Sequence, residues 1–167
     1  LYEYRVEKGY GSGNDFLTVG SMGHTSSIAM GLAAAQVDRR VFCMDGDGSV
    51  IMHMGSLALV GQVGTPNLVH IVFNNGAHDS VGGQPTVGFG VNLATVASAC
   101  GYKNTASVST HEDLLQFMTC MHNVEGPVFL EVCVNKNSRT DLGRPNSTPF
   151  ENRETFMKRL GAGHANK

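Results

Sequence analysis

Three short polar, glycine-rich stretches hold most of the side chains that could do chemistry: Gly46–Asp47–Gly48–Ser49, Asn74–Asn75–Gly76–Ala77–His78–Asp79 and Gly20–Ser21–Met22–Gly23–His24. Glycines on both sides of an acid let the backbone turn sharply and approach a ligand closely. A helix expected from Val50 would present free N–H groups and a positive dipole end, which suit a phosphate. Asp47 is a hard oxygen donor of the kind Mg²⁺ takes. Alone, an Asp-Gly after a strand is more often a plain turn, and paired asparagines at a strand end are usually caps or turn formers. The combination says more. An acid, then one helix and one strand, then two asparagines, puts a carboxylate and an amide oxygen on adjacent strand ends, facing one cation. Mg²⁺ takes six oxygens at about 2.0–2.1 Å. Asp47, the Asn75 side chain and a nearby main-chain carbonyl would supply three, a diphosphate two, and a water the sixth.

The elements that must position these loops alternate along the chain. Strands are expected at Phe16–Val19, Val41–Met44, Leu68–Phe73, Ala106–Val108 and Val128–Val134. Helices are expected at Thr25–Gln36, Val50–Gln62, Asn92–Cys100, His111–His122 and Glu151–Leu160, with Thr140–Pro149 a loop. Leu68–Phe73 is apolar nearly throughout, as in strands covered on both faces. This alternation predicts an α/β fold: a doubly wound, mostly parallel sheet with helices on both faces. Ligands of such sheets sit at the carboxyl ends of strands, where the three loops fall.

Composition sets the limits. The 167 residues suit one domain, 1–167, and 41% of them are apolar, too many for a disordered chain. Twelve basic residues against fourteen acidic ones give −2, which argues against a nucleic-acid partner. No apolar run of about 18 residues suggests a membrane span, and no signal peptide is visible. The four cysteines, Cys43, Cys100, Cys120 and Cys133, form no CxxC pair and read as reduced, mostly buried thiols of a cytoplasmic protein. The chain begins at Leu1, without methionine, in what reads as helix, so it is expected to be a piece of something longer.

Gly46–Asp47–Gly48–Ser49 followed by Asn74–Asn75 resembles the signature of thiamin diphosphate enzymes, within their diphosphate-binding domain. The resemblance covers most of the chain. It implies thiamin diphosphate and Mg²⁺ as cofactors, with Asp47, Asn75 and the Ala77 carbonyl as metal ligands. Gly46, Gly48 and Ser49 would meet the diphosphate. In the first loop, the Gly20 carbonyl would accept a hydrogen bond from the aminopyrimidine, and Met22 would prop the cofactor in its bent form. Ser21 and His24 would complete that side, with His24 beside the diphosphate. The bland reading of Met22 is ordinary core. Met44, Met52 and Met54 are assigned to the core, His53 is read as packed, and His70 alternates within a strand.

Within that family, the first loop, Met52–His53–Met54–Gly55, the run from Asn74 to Thr86, and Asp141–Leu142–Gly143–Arg144–Pro145 look like the phosphonopyruvate decarboxylases. The sulfopyruvate decarboxylases are near relatives. The reaction implied is loss of CO2 from 3-phosphonopyruvate, leaving phosphonoacetaldehyde. The thiazolium ring would take the electron pair that a 2-oxo acid cannot delocalise. Family members also use a glutamate from a pyrimidine-binding domain, and no glutamate here sits in a matching context. The chain therefore resembles the diphosphate-binding half of an enzyme, inactive alone. A pyrimidine-binding domain, in the same or another chain, and a homo-oligomer are the implied partners. His78 and Asp79 are the candidates for catalysis, because histidine exchanges protons near neutral pH. The bland reading is a loop cap, with His78 bonded to Asp79. Arg144 is the candidate for the phosphonate, which a guanidinium can bind bidentately, although loop arginines are more often simply solvated. Two alternatives stay open: a sulfopyruvate decarboxylase subunit and a non-catalytic cofactor-binding module. A nucleotide-binding Rossmann domain is weak, because no GxGxxG follows the first strand.

Overall fold

A computed structural model describes residues 1–11 and 13–161 of the chain, with His122 in backbone only. In chain order its elements are α1 (Tyr2–Glu7), α2 (Thr25–Ala35), β1 (Val41–Gly46), α3 (Asp47–Met52), α4 (Gly55–Val63), β2 (Leu68–Asn74), β3 (Ala77–His78), β4 (Gln84–Pro85), α5 (Leu93–Cys100), β5 (Asn104–Val108), α6 (His111–Cys120), β6 (Val128–Cys133) and α7 (Pro149–Arg159). They group into two compact units. One is Ser21–Asn137. The other joins Leu1–Gly20 to the segment from Ser138 on.

The larger unit is built on a parallel sheet in the order β1-β2-β6-β5. β2 lies inside it, and five of its first five residues are buried, which is why Leu68–Phe73 reads as a continuous apolar run. Its side chains alternate between two cores. Leu68 and Val72 join Cys43, Phe129, Leu57 and Val60 beneath α2, α4 and α5. Val69 and Ile71 join Val128, Leu130 and Val132 on the opposite face, against Leu114, Phe117 and Met118 of α6. The doubly wound α/β arrangement expected from the alternation is the one observed.

Local chemistry fixes the joints. Asn92 caps α5 by accepting from the Thr95 N–H at 2.9 Å, and α4 and α5 each end on a glycine in the left-handed region. The Asn67 amide, just before β2, donates to the carbonyls of Ala33, Gln36 and Arg39 and so ties the end of α2 to the sheet. α4 and α5 approach so closely that a Cβ on Gly61 would lie 2.1 Å from the Cys100 carbonyl oxygen.

Several elements differ from the expectation. The helix expected at Val50–Gln62 is two helices, and the first begins at Asp47. The chain breaks at His53, whose ring turns in against Gly23, where a Cβ would meet its Nδ1 at 2.3 Å. The hairpin β3–β4 was not anticipated. Its strands are two residues each, too short for any periodicity to signal them. Met44 and Met52 are not core: they are 40% and 54% exposed. Met44 shares with Phe42 the face of β1 opposite Cys43, and both are exposed.

In the terminal unit, Phe16–Val19 is not a strand. A side chain takes the place of a ladder: the Leu17 N–H donates to Asn152 Oδ1 at 2.9 Å, and Asn152 Nδ2 donates to the Asp15 carbonyl at 2.8 Å. Asn152 belongs to α7, which starts two residues earlier than expected, at Pro149, behind a Thr148–Glu151 capping box. Hydrogen bonds from the Thr148 N–H and hydroxyl hold the Glu151 carboxyl below its usual range. Because the folded-state value is depressed, this cap is fully made above the ordinary carboxylate range and is lost as pH falls through the depressed value.

Two glycine substitutions should move stability in opposite directions. Gly61→Ala forces α4 from α5 and should cost about 1–3 kcal/mol. Gly31→Ala, in α2 with nothing within 4 Å of its Cβ position, should add about 0.5–1 kcal/mol. Denaturant unfolding of both variants checks this pair.

Candidate active site

β1 and β2 are paired so that Gly46 lies opposite Phe73. Asp47 and Asn74 are each the next residue, and each is 1% exposed. Asp47 opens α3, and its Oδ2 accepts from the Thr86 hydroxyl. Asn74 Oδ1 accepts from the Gly76 N–H at 3.1 Å, and its Nδ2 donates to Glu131 Oε1 at 2.7 Å. The two oxygens both pack against Gly88. A Cβ there would lie 2.3 Å from Asp47 Oδ2 and 2.5 Å from Asn74 Oδ1. Only a residue without a side chain fits between them.

The neighbouring residues crowd in to the same degree. Gly48 lies under the His78 ring, where a Cβ would meet Cε1 at 2.3 Å. The Gly23 N–H donates to Ser49 Oγ at 2.9 Å, which fastens the first loop to the start of α3. The His24 and His53 rings meet edge to face, 4.3 Å between centroids. Gly76, at φ +65°, lies beneath the Phe89 ring and turns the chain out of β2. Asn75 is half-buried. Its Oδ1 accepts from the Ala77 N–H at 3.0 Å, and its Nδ2 donates to Asp79 Oδ2 at 2.9 Å. Asp79 Oδ2 also accepts from the Asn137 N–H at 2.8 Å. His78 thus touches Gly48, while the Asp79 carboxylate serves as a loop acceptor.

Asp47, Gly48, Ser49, Asn75, Ala77 and His78 therefore gather at the carboxyl ends of β1 and β2, with Gly23 and His24 beside them. Ser21, at φ 48°, turns the chain into that first loop, and Met22 is 37% exposed rather than core. Gly20, at φ +71°, and Arg144, exposed, belong to the terminal unit. The buried donor set is oxygen only, which fits a hard cation such as Mg²⁺. Gly46, with nothing within 4 Å of its Cβ position, leaves room for a ligand at the backbone, whereas Gly48 and Gly88 are packed against His78 and Asp47.

Sequence reasoning missed four participants. Thr86 and Gly88 are about forty residues from Asp47 and give no local signal. Asn74 reads as the neutral neighbour of Asn75, and Glu131 reads as one residue of an apolar strand. Beneath the site is a buried cluster that was also missed. His70 Nδ1 is 3.0 Å from the Tyr102 hydroxyl, and His70 Nε2 is 3.7 Å from Asp45 Oδ2. Cys43 completes the group, its ligand atom within 4.8 Å of those of Asp45 and His70. In β1, which runs past the expected Met44 to Gly46, alternation puts Cys43 and Asp45 on one face. Only the pairing Cys43↔His70 brings the histidine to them.

A fold and a site of this kind define a class. The chain belongs to the family of thiamine pyrophosphate enzymes, matching their C-terminal TPP-binding domain over residues 4–132. Among individual relatives, it is 41% identical over 136 residues to a phosphonopyruvate decarboxylase of Streptomyces viridochromogenes, covering 81% of this chain and 34% of that protein. It is 42% identical over 146 residues to the sulfopyruvate decarboxylase subunit beta of Methanococcus maripaludis, covering 87% of this chain and 77% of that one. The chain thus spans about a third of the length of the phosphonopyruvate decarboxylase it matches. A solved structure of a thiamin diphosphate-dependent enzyme from Mycobacterium smegmatis shares the fold, with a TM-score of 0.61 at 23% identity over 71% of this chain and 23% of that one. Among the described residues no helix is long and apolar enough to cross a membrane.

The four cysteines are free, and only Cys43 is buried; Cys100 and Cys133 are half-buried and Cys120 is exposed. This corrects the expectation of mostly buried thiols: Cys120 closes the outer face of α6. Burial first, and the Asp45 charge second, push the Cys43 thiol far above its ordinary range. Burial does the same to the Tyr102 hydroxyl. Thiolate is the reactive form. Alkylation of the folded protein at pH 8 should therefore modify Cys120 first and Cys43 last. Peptide mapping over a time course checks that order.

Proposed function

We propose that this chain is the diphosphate-binding half of a thiamin diphosphate- and Mg²⁺-dependent carboxy-lyase acting on 3-phosphonopyruvate, with phosphonoacetaldehyde and CO2 as products. The observation that carries the reading is the buried Asp47 carboxylate, set at the end of β1 beside the Asn74–Asn75 turn that ends β2. It stands inside a Gly-Asp-Gly and Asn-Asn pattern at the family's spacing. The cofactor, when bound, supplies the electron sink that a 2-oxo acid lacks.

The protein's part is to hold and orient. Asp47, Asn75 and the Ala77 carbonyl hold the Mg²⁺. Gly46, Gly48 and Ser49 receive the diphosphate, and Ser21 and His24 border it. Gly20 and Met22 position the aminopyrimidine end. Asn75 Oδ1 must give up the Ala77 N–H to reach a metal, a side-chain rotation that leaves Asp79 and Asn137 as the loop's other tie. His78, against Gly48, is placed to return a proton after CO2 leaves. Asp79 fixes the loop that carries His78. Arg144 recognises the phosphonate dianion. A pyrimidine-binding domain, in the same or another chain, completes the site by supplying the missing glutamate, and the assembly is a cytoplasmic homo-oligomer. The chain alone is inactive.

A second reading has its own support. The similarity to a sulfopyruvate decarboxylase beta subunit covers 77% of that protein, against 34% of the phosphonopyruvate decarboxylase. A small subunit paired with a separate pyrimidine-binding subunit is therefore the alternative. Sulfonate carries one negative charge where phosphonate can carry two.

The test is CO2 release from phosphonopyruvate and from sulfopyruvate, side by side, with thiamin diphosphate and Mg²⁺, using this chain joined to its pyrimidine-binding domain. Fast turnover of phosphonopyruvate with sulfopyruvate slow is expected; the reverse transfers the assignment to the sulfonate. Asp47→Ala should abolish Mg²⁺-dependent cofactor binding. An unchanged calorimetric titration would falsify the metal assignment.

A further inference from the structure

Asp47 Oδ2 and Asn74 Oδ1 both pack against Gly88; two acceptors so close repel each other, and an asparagine has a cheap way out. Rotating the Asn74 amide by 180° would present its NH2 to the Asp47 carboxylate. The result would be a charge-assisted hydrogen bond, and it would consume the carboxylate that a cation needs. Something must hold the amide oxygen-side in.

The structure assigns that task to Glu131, as a positioning residue for the divalent-cation site proposed above, on which this inference rests. Glu131 lies on β6, opposite Val72 of β2, and is 5% exposed. Its Oε1 accepts from Asn74 Nδ2 at 2.7 Å. A carboxylate oxygen only accepts, so it binds the NH2 end of the amide and turns the oxygen end away. That end meets the Gly76 N–H, which only donates, at 3.1 Å. Donor and acceptor on opposite sides fix one orientation of Asn74, and a flip would lose both bonds inside a buried site. Glu131 thereby keeps the Asn74 NH2 turned away from Asp47 and leaves that carboxylate for a cation. Among the described residues its side chain bonds to Asn74 and not to Asp47, so its effect passes through Asn74.

Glu131→Gln tests this most directly. A glutamine can present either an oxygen or an NH2, so it no longer dictates the flip. In the assembly with its pyrimidine-binding domain and saturating thiamin diphosphate, Mg²⁺ affinity read by calorimetry should fall about 10- to 100-fold, the range for losing an outer partner of a metal site. Glu131→Asp, which keeps the charge but shortens the reach, should fall in the same direction. The Tm of the metal-free protein gives the second reading. A merely structural role lowers Tm and leaves Mg²⁺ affinity at the wild-type value, and that result overturns the inference. If Glu131→Gln does not fold, Glu131→Asp decides by the same criterion. The wild-type chain offers a measurement that needs no variant: the Asn74 side-chain NH2 resonances should exchange slowly with solvent, and exchange at the rate of a free amide overturns the inference. Loss of binding in Asp47→Ala with wild-type affinity in the Glu131 variants would remove this inference and leave the site standing. Wild-type protein that binds no Mg²⁺ with cofactor removes the site itself.

Discussion

Asp47 and Asn74 each lie one residue beyond the last position at which β1 and β2 are paired, and the rest of the larger unit follows from keeping them there. A parallel pair cannot be closed by a tight turn, so the chain must cross over through α3 and α4 to return. Those helices must bury an apolar face, and Val50, Leu57 and Val60 do so against the sheet. The close approach of α4 to α5 at Gly61 is a further consequence. A covered sheet fixes register, because a one-residue slip would turn every core side chain outward. The register in turn sets two buried oxygen donors side by side.

Burying such donors is costly unless each has a partner. Three neighbouring strands carry buried polar side chains on one face: Asp45 on β1, His70 and Asn74 on β2, and Glu131 on β6. They are arranged as two short networks. Asn74 and Glu131 form one, immediately behind Gly88. In the other, one layer deeper, His70 bonds to Tyr102, Phe129 packs edge-on against both rings, and His70 Nε2 and Asp45 Oδ2 lie 3.7 Å apart without a hydrogen-bond partner among the described residues. The apolar half of each strand supplies the stability, and the polar half gives up some of it to hold a site.

The loop from Gly76 to Gly90 closes over this polar end. Its glycines mark close approaches rather than slack. Gly76 passes beneath Phe89, and Gly88 passes between Asp47 and Asn74. Thr86 reaches the Asp47 carboxylate and also accepts from the Gly88 N–H at 3.1 Å. One side chain thus sets both the position of the loop and the environment of the acid.

Much of this was legible in the residues. The apolar run of β2, the alternation of strands and helices, and the Gly-Asp-Gly and Asn-Asn spacing depend on local periodicity and motif chemistry, which a sequence carries openly. They fixed the fold class and the residues at the ends of β1 and β2. Other features needed three dimensions. Phe16–Val19 has the composition of a strand, yet its backbone is satisfied by Asn152, 135 positions away from Leu17. Val50–Gln62 has helical character throughout, yet the packing of His53 against Gly23 divides it. Glu131 and Thr86 carry no motif, because their meaning lies wholly in what they touch. Hydrogen bonds between residues distant in sequence leave no periodic trace. The sequence alone therefore determined which chemistry was available, and only the tertiary structure decided which atoms face it and what keeps them so.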